Sequence, residues 1–213
     1  MPNAPSKRRG RPPKACAVKP DAIIQAALRS FAAHGFEGAS LRRIAATANV
    51  DVALIAHRHG AKLELWKAVV DDIAGQFVGQ LSRPRNPVDA TGATSMERLL
   101  HAIDQMIDFS ADAPEMSMFV LKEVAQQDAR FHYLYERLIK PVQEVLLPTV
   151  EQAIHDGFLK GVNGNLFFYN LSGAIALTLS LRPFIEQFDV EVFSSQLFSQ
   201  RMKTLWRALL YPG

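Results

Sequence analysis

The sequence predicts an all-α fold in two parts: an N-terminal three-helix domain carrying a helix-turn-helix, and a C-terminal helical domain. Three observations predict it. The stretch Ser40 to Lys62, SLRRIAATANVDVALIAHRHGAK, reads as two short helices around a tight corner. From Asp21 onward, segment after segment repeats apolar residues at i, i+3, i+4, the period of a helix with one buried face. Leu166 to Phe184 is apolar on nearly all sides, so it must be covered on all sides, by its own core and by a partner.

Composition narrows the class. At 213 residues and 48% hydrophobic content the chain has ample material for a core. Its single cysteine, Cys16, makes no internal disulfide, which suits a reducing cytoplasm, and it reads as an incidental residue of a flexible arm. The basic N-terminus lacks the apolar run of a signal peptide. The longest apolar run, near Leu166 to Leu181, is interrupted by Asn170, Ser172, Thr178 and Ser180. It falls short of the ~20 residues a membrane span needs, so no membrane partner is expected. Charge is segregated: residues 1–20 hold six bases and no acid, residues 21–83 seven bases and six acids, and residues 84–213 eleven bases and fifteen acids. Positive charge at the end with the helix-turn-helix is what a polyanion such as double-stranded DNA requires.

Residues 1–19, MPNAPSKRRGRPPKACAVK, show no periodicity and predict a disordered basic arm. Within it Arg9-Gly10-Arg11-Pro12 resembles the core of an AT-hook. An extended arm can enter the narrow, strongly negative minor groove of A·T-rich DNA, where Gly10 clears the floor and Arg9 and Arg11 run along it. The alternative is a solvated tail that only adds charge.

Asp21 to His34 is an amphipathic helix with Ile23, Ile24, Ala27, Leu28 and Phe31 on one side, and Gly35 stands at the C′ position. Ser40 is a good N-cap for the next helix, and Leu41, Ile44 and Ala45 give it one apolar face. Asn49 tolerates the positive φ of the corner. Asp51 caps the second helix of the motif, Leu54 and Ile55 bury it, and Gly60 ends it. Its remaining positions, Val52, Ala53 and Ala56, are apolar, and only His57 and Arg58 can donate. Thymine methyl contacts by Val52 or Ala53 therefore replace bidentate base readout. Arg42 and Arg43, on the first helix of the motif, are placed for base edges or phosphates. His57 and His59 are two apart and lie on different faces, so no metal pair is expected.

The run Phe31 to Val69 resembles the N-terminal domain of the tetracycline-repressor (TetR) family of bacterial regulators, through Phe31, Gly35, Phe36, Ser40, Leu41, Ile44, Ala45, Ala48, Val50, Lys62 and Leu65. The resemblance covers roughly residues 20 to 80. Asn49 departs from the usual corner glycine, and His57 and His59 from aromatic positions. It implies a DNA-binding domain over residues 20–62, a connecting helix over 63–81, and an effector-binding and dimerisation domain over 82–213. It also makes Lys62 a phosphate contact.

Leu63 to Leu81 carries the stripe Leu65, Trp66, Val69, Val70, Ile73 and Phe77, and Ser82 to Thr94 reads as a loop. Ser95 to Phe109 is a helix with Ser95 as its expected cap. Pro114 opens the next helix, which carries Met118, Phe119, Leu121 and Val124. Phe131 to Ile154 shows one long stripe, with Pro141 and Pro148 predicting a kink or a split. Leu166 to Phe184, with small residues Ser172, Gly173, Ala174 and Ala176 permitting close approach, and Val190 to Leu210 resemble the helix pair that forms the family's dimeric four-helix bundle.

The sequence lacks a phosphate-binding glycine loop, a zinc-protease helix, paired cysteines and a nucleophile elbow, so no enzyme and no cofactor are expected. The acidic pair Asp104 and Asp108 reads as a solvated face. Thirteen phenylalanines and six methionines exceed what a core needs and can line an adaptable pocket for an apolar or aromatic effector. Met106, Phe109, Met116, Phe119, Phe131, Phe167, Leu171 and Phe184 are the candidates, although ordinary core fits each one singly. The expected function is a homodimeric repressor released from a palindromic operator by a small molecule. The alternative is an architectural AT-hook protein without an effector.

Overall fold

The computed structural model describes residues 20–83, 92–126, 128–188 and 195–211, and the arm with Arg9, Gly10 and Arg11 lies outside them. Among the described residues all regular structure is helical. Helices α1 (Pro20–Gly38), α2 (Leu41–Ala48) and α3 (Val52–His59) form the N-terminal unit, and α4 (Lys62–Leu81) leads out of it. Beyond the loop stand α5 (Ser95–Asp112), α6 (Pro114–Val124) and α7 (Ala129–Leu134). A π-helical turn (Tyr135–Ile139) joins α7 to α8 (Lys140–His155), and α9 (Gly164–Ser180), α10 (Arg182–Ile185) and α11 (Ser195–Leu210) complete the chain.

Local chemistry sets the N-terminal unit. Gly35 (φ 69°, ψ 176°) breaks α1, and one further turn runs to Gly38. Ser40 Oγ accepts from the Arg43 amide at 3.3 Å and caps α2. Asn49 holds the left-handed corner at φ 54°, ψ 47°. There its amide reaches the Ala46 carbonyl at 3.2 Å, while the Val50 amide reaches Ala45 at 2.9 Å. Asp51 Oδ1 accepts from the Ala53 amide at 2.7 Å and caps α3, which Gly60 (φ 74°) ends. Ile23, Phe31, Ile44, Ile55, Leu65 and Trp66 are fully buried between these helices and α4.

Four expectations need correction. The cap of α5 is Thr94, not Ser95: its hydroxyl accepts from the Glu97 amide at 3.2 Å, and Glu97 returns the contact to the Thr94 amide at 2.8 Å. Ser95 Oγ instead donates to Asp156 at 2.5 Å, tying the start of α5 to the end of α8. The run with Pro141 and Pro148 does not split. Pro141 has no N–H for the carbonyl four residues back, and the π turn directly before it takes up the change, with the Lys140 amide reaching Tyr135 five residues back. α8 continues through Pro148. The Leu166–Phe184 helix ends at Ser180, because Pro183 cannot donate to Leu179, and Phe184 falls in the separate turn α10. Asp104 and Asp108 are not merely solvated: Asp108 accepts from Ser199 at 2.5 Å and pairs with Lys203 at 2.6 Å, and Asp104 pairs with Arg207. These contacts fasten α11 to α5 over buried Phe198 and Met202.

Gly35 occupies a backbone region essentially closed to residues with a Cβ, although space around it is open. Gly35→Ala should therefore destabilise the chain by about 1–3 kcal/mol through strain alone, read as a lower chemical-denaturation midpoint with an unchanged slope.

Candidate functional site

Ser40, Arg42, Arg43, Asp51, Val52, Ala53, His57 and Arg58 are all exposed on or beside α2 and α3. Val52, Ala53 and Ala56 present an apolar surface, and the Asp51 carboxylate is engaged at its own helix start. His59 is half-buried, and burial, with Arg58 beside it, lowers its pKa below the usual value. A neutral ring can thus fill a position where the resemblance expects an aromatic core residue.

Lys62 is a different case. Its Nζ donates to the carbonyls of Phe36 at 2.8 Å and Ala39 at 3.3 Å, and it sits 4.4 Å from the centre of the Phe36 ring. The ammonium group therefore caps the end of α1, where carbonyls lack helical partners. Lys122 of α6 does the same for the Ala33 carbonyl, at 2.8 Å.

A cavity of about 480 Å³ lies in the C-terminal helices. Its wall is built from Phe77 of α4, Met106 and Ser110 of α5, and Met116, Ser117, Val120, Leu121 and Val124 of α6. Phe131 and Leu134 of α7, then Tyr135, Leu138 and Ile139 of the π turn, continue it to Val142 of α8. Phe168, Tyr169, Ser172, Gly173, Ile175 and Ala176 of α9 close it. Of the eight residues expected there, Met106, Met116 and Phe131 line it.

The other five do not. Phe109 stands behind the wall, stacked on Phe77 with ring centres 4.4 Å apart. Phe119 points the opposite way, between Phe31 and Trp66. Phe167 meets the edge of Trp206, Leu171 is fully buried away from the cavity, and Phe184 is 62% exposed. Ser172, Gly173 and Ala176 make room for the cavity rather than for a packed helix; a Cβ added at Gly173 would meet nothing within 4 Å. Tyr135 and Leu138 are four and seven residues past Phe131, a spacing that marks them as wall residues once Phe131 is one.

The outer faces of the same helices grip the N-terminal unit, and periodicity alone did not reveal this. Arg130, next to Phe131, lies 4.1 Å from the centre of the Phe36 ring and pairs with Asp128 at 2.8 Å, Glu123 at 3.3 Å and Glu37 at 3.4 Å. Glu123 is 2% exposed, and burial pushes its carboxyl pKa up against the pull of Arg130. Tyr133 donates to Asp71 of α4 at 2.9 Å, and Arg137 donates to the other oxygen of the same carboxylate at 2.9 Å.

Residues 23–69 match the family described as bacterial regulatory proteins, tetR family. The chain is 30% identical over 134 residues to the HTH-type transcriptional dual regulator CecR of Shigella flexneri, covering 58% of this chain and 59% of that protein. It is 35% identical over 98 residues to the HTH-type transcriptional repressor SCO4008 of Streptomyces coelicolor, covering 44% of this chain and 43% of that protein. The matches thus span about half the length of these curated relatives. In fold it is similar to the transcriptional regulator FadR of Bacillus subtilis solved in complex with stearoyl-CoA, with a TM-score of 0.65, 20% identity and coverage of 88% of this chain and 97% of that one. The fatty acid degradation regulator FadR of Bacillus halodurans gives a TM-score of 0.66 at 17% identity, covering 90% and 98%.

The capping role of Lys62 has a direct check. Lys62→Met keeps the stem and removes the donor, and should lower stability by about 1–2 kcal/mol. An unchanged melting temperature, together with a salt slope of DNA binding flattened by about 1, would return Lys62 to the phosphate backbone.

Proposed function

We propose that this chain, a member of the tetR family of bacterial regulatory proteins, is a cytoplasmic DNA-binding transcriptional regulator. It acts as a homodimeric repressor that leaves a palindromic operator when a small molecule fills the cavity. The observation that carries the reading is that α6 and α7 line the cavity with one face and hold α1 with the other. A ligand shifts an equilibrium only through a difference in affinity between two states. Here a ligand that re-spaces Val124 or Phe131 moves Glu123 and Arg130 as well. The second reading, an architectural protein without an effector, gives no role to a 480 Å³ apolar cavity.

In this reading residues 20–62 read DNA, residues 63–81 connect, and residues 82–213 sense and dimerise. The exposed residues Leu166, Leu177 and Leu181 of the α9 region and Leu205 and Leu209 of α11 supply apolar surface for the twofold contact. Two α3 helices then enter major grooves about 34–36 Å apart, or a multiple of that. Arg9 and Arg11 extend the contact into the minor groove. The name SCO4008 carries is that of a repressor, and the stearoyl-CoA bound to the Bacillus subtilis protein supports a small-molecule effector here.

Apolar readout by α3 can be tested on an operator selected from random duplexes. Replacing thymine by deoxyuridine at the positions facing Val52 and Ala53 removes only a methyl group. It should weaken binding about threefold to fivefold per contacted base, and Val52→Ala should abolish that sensitivity. Indifference to every such replacement, measured by fluorescence anisotropy, removes methyl readout.

Coupling is tested by a double-mutant cycle. Gly173→Leu fills the cavity and should change operator affinity by about 5–150-fold. Arg130→Met keeps the apolar stem and should erase most of that change when combined with it. Full additivity of the two substitutions would place the coupling elsewhere.

A further inference from the structure

Where α6 and α7 meet α1, charge is unbalanced. Three carboxylates converge on the one guanidinium of Arg130: Asp128 at 2.8 Å, Glu123 at 3.3 Å and Glu37 at 3.4 Å. Glu37 and Asp128 are exposed and Glu123 is buried. Water and salt therefore screen the first two charges and not the third.

Geometry also disfavours a charge on Glu123. Its Oε2 and Arg130 Nε are both enclosed, and neither has a hydrogen-bond partner among the described residues. Arg130 gives its terminal nitrogens to Asp128 and Glu37 instead. Trp66 Nε1 of α4, beside the same carboxylate, is enclosed and unpartnered too. The other bases at this place face elsewhere. Lys62 and Lys122 bind carbonyls at the end of α1, and His34 lies against the Ser30 carbonyl at 3.1 Å. Helix α9, which packs on α6, carries no Asp, Glu, Lys, Arg or His. A buried carboxylate so placed is far less costly neutral than charged.

We propose that Glu123 and Arg130 form a proton-operated latch between the cavity helices and α1, tight while Glu123 is charged and loosened when it takes up a proton. Charged Glu123 draws Arg130 inward, over the Phe36 ring. With Glu123 neutral, Arg130 keeps only Asp128 and Glu37, exposed pairs of the kind that contribute little. The link from α6 through Arg130 to Phe36 then slackens. The latch rests on these contacts and works whether or not the cavity takes an effector. Burial, the largest influence, raises the Glu123 pKa; Arg130 lowers it, and Asp128 and Glu37 raise it, with a net rise. The folded chain thus holds this proton more tightly than the unfolded chain. The stability it contributes is fully present below the unfolded pKa and is lost as pH rises through the folded one.

The test is thermal unfolding of the full chain at one protein concentration, at about pH 5 and about pH 7.5. Arg130→Met removes the countercharge of Glu123. It should lower the melting temperature by about 5–10 °C at the higher pH, and by about half of that or less at the lower. Glu123→Gln makes the neutral form permanent. It should melt above wild type at the higher pH, lose that advantage toward the lower, and make Arg130→Met equally mild at both. Asp128→Asn should leave the pH dependence of the Arg130→Met loss in place. An Arg130→Met loss that is equal at both pH values, or that Glu123→Gln leaves unchanged, would overturn the latch. So would disappearance of the pH dependence in Asp128→Asn, which would make Asp128 the titrating group. If Glu123→Gln does not fold, the Arg130→Met comparison at the two pH values decides by itself.

Discussion

The structure depends on Phe119. Its ring is fully buried on α6, with its centre 6.4 Å from Phe31 of α1 and 5.9 Å from Trp66 of α4. Such aromatic pairs add about 0.5–1.5 kcal/mol each beyond the area they bury. This cluster makes the helix that starts the DNA-reading unit, the helix that leaves it, and a wall of the cavity share one core. α4 is the covalent link between the two halves, and the cluster adds a packed one through α6. With it, α1 is held by α6 as well, and Lys122, Arg130 and Glu123 surround the cluster with polar contacts that fix its register.

Those polar contacts differ in kind from surface ion pairs, which contribute little. Glu123 is almost wholly enclosed, so burial raises its pKa while Arg130 beside it pulls the other way. Arg130 in turn lies over the ring of Phe36, the residue whose carbonyl Lys62 caps. Lys62 and Arg130 thus approach one aromatic ring from two different helices. The end of α1 is therefore the place where α4, α6 and α7 all report to the DNA-reading unit.

Much of this was legible in the sequence where a single residue dictates local geometry. Asn49 at the corner, Asp51 at the start of α3, and the glycines at 35 and 60 all stand where their conformational freedom or capping chemistry demands. Periodicity also located the helices. It identified apolar faces but not what covers them, which is why Phe119 and Phe109 were read as cavity residues when they serve the cluster and the layer behind the wall. Phe184 was misplaced because Pro183 ends α9 before it. Asp104 and Asp108 were read as solvent-facing because their partners lie ninety or more residues away, on α11. Long-range pairing of this kind leaves no local signature.

The π turn at Tyr135–Ile139 has a consequence for chain length. A π turn holds one residue more than an α-helix needs over the same path, and here it stands between the Phe131–Arg130 segment and the Pro141 end of α8. Removing one residue would restore an ordinary helix but rotate everything before it by about 100°. Phe131 would then leave the cavity wall and Arg130 would leave Phe36. The extra residue is therefore a phase setter, and a related chain that lacked it would have to place its cavity lining and its grip on α1 at different positions in the sequence.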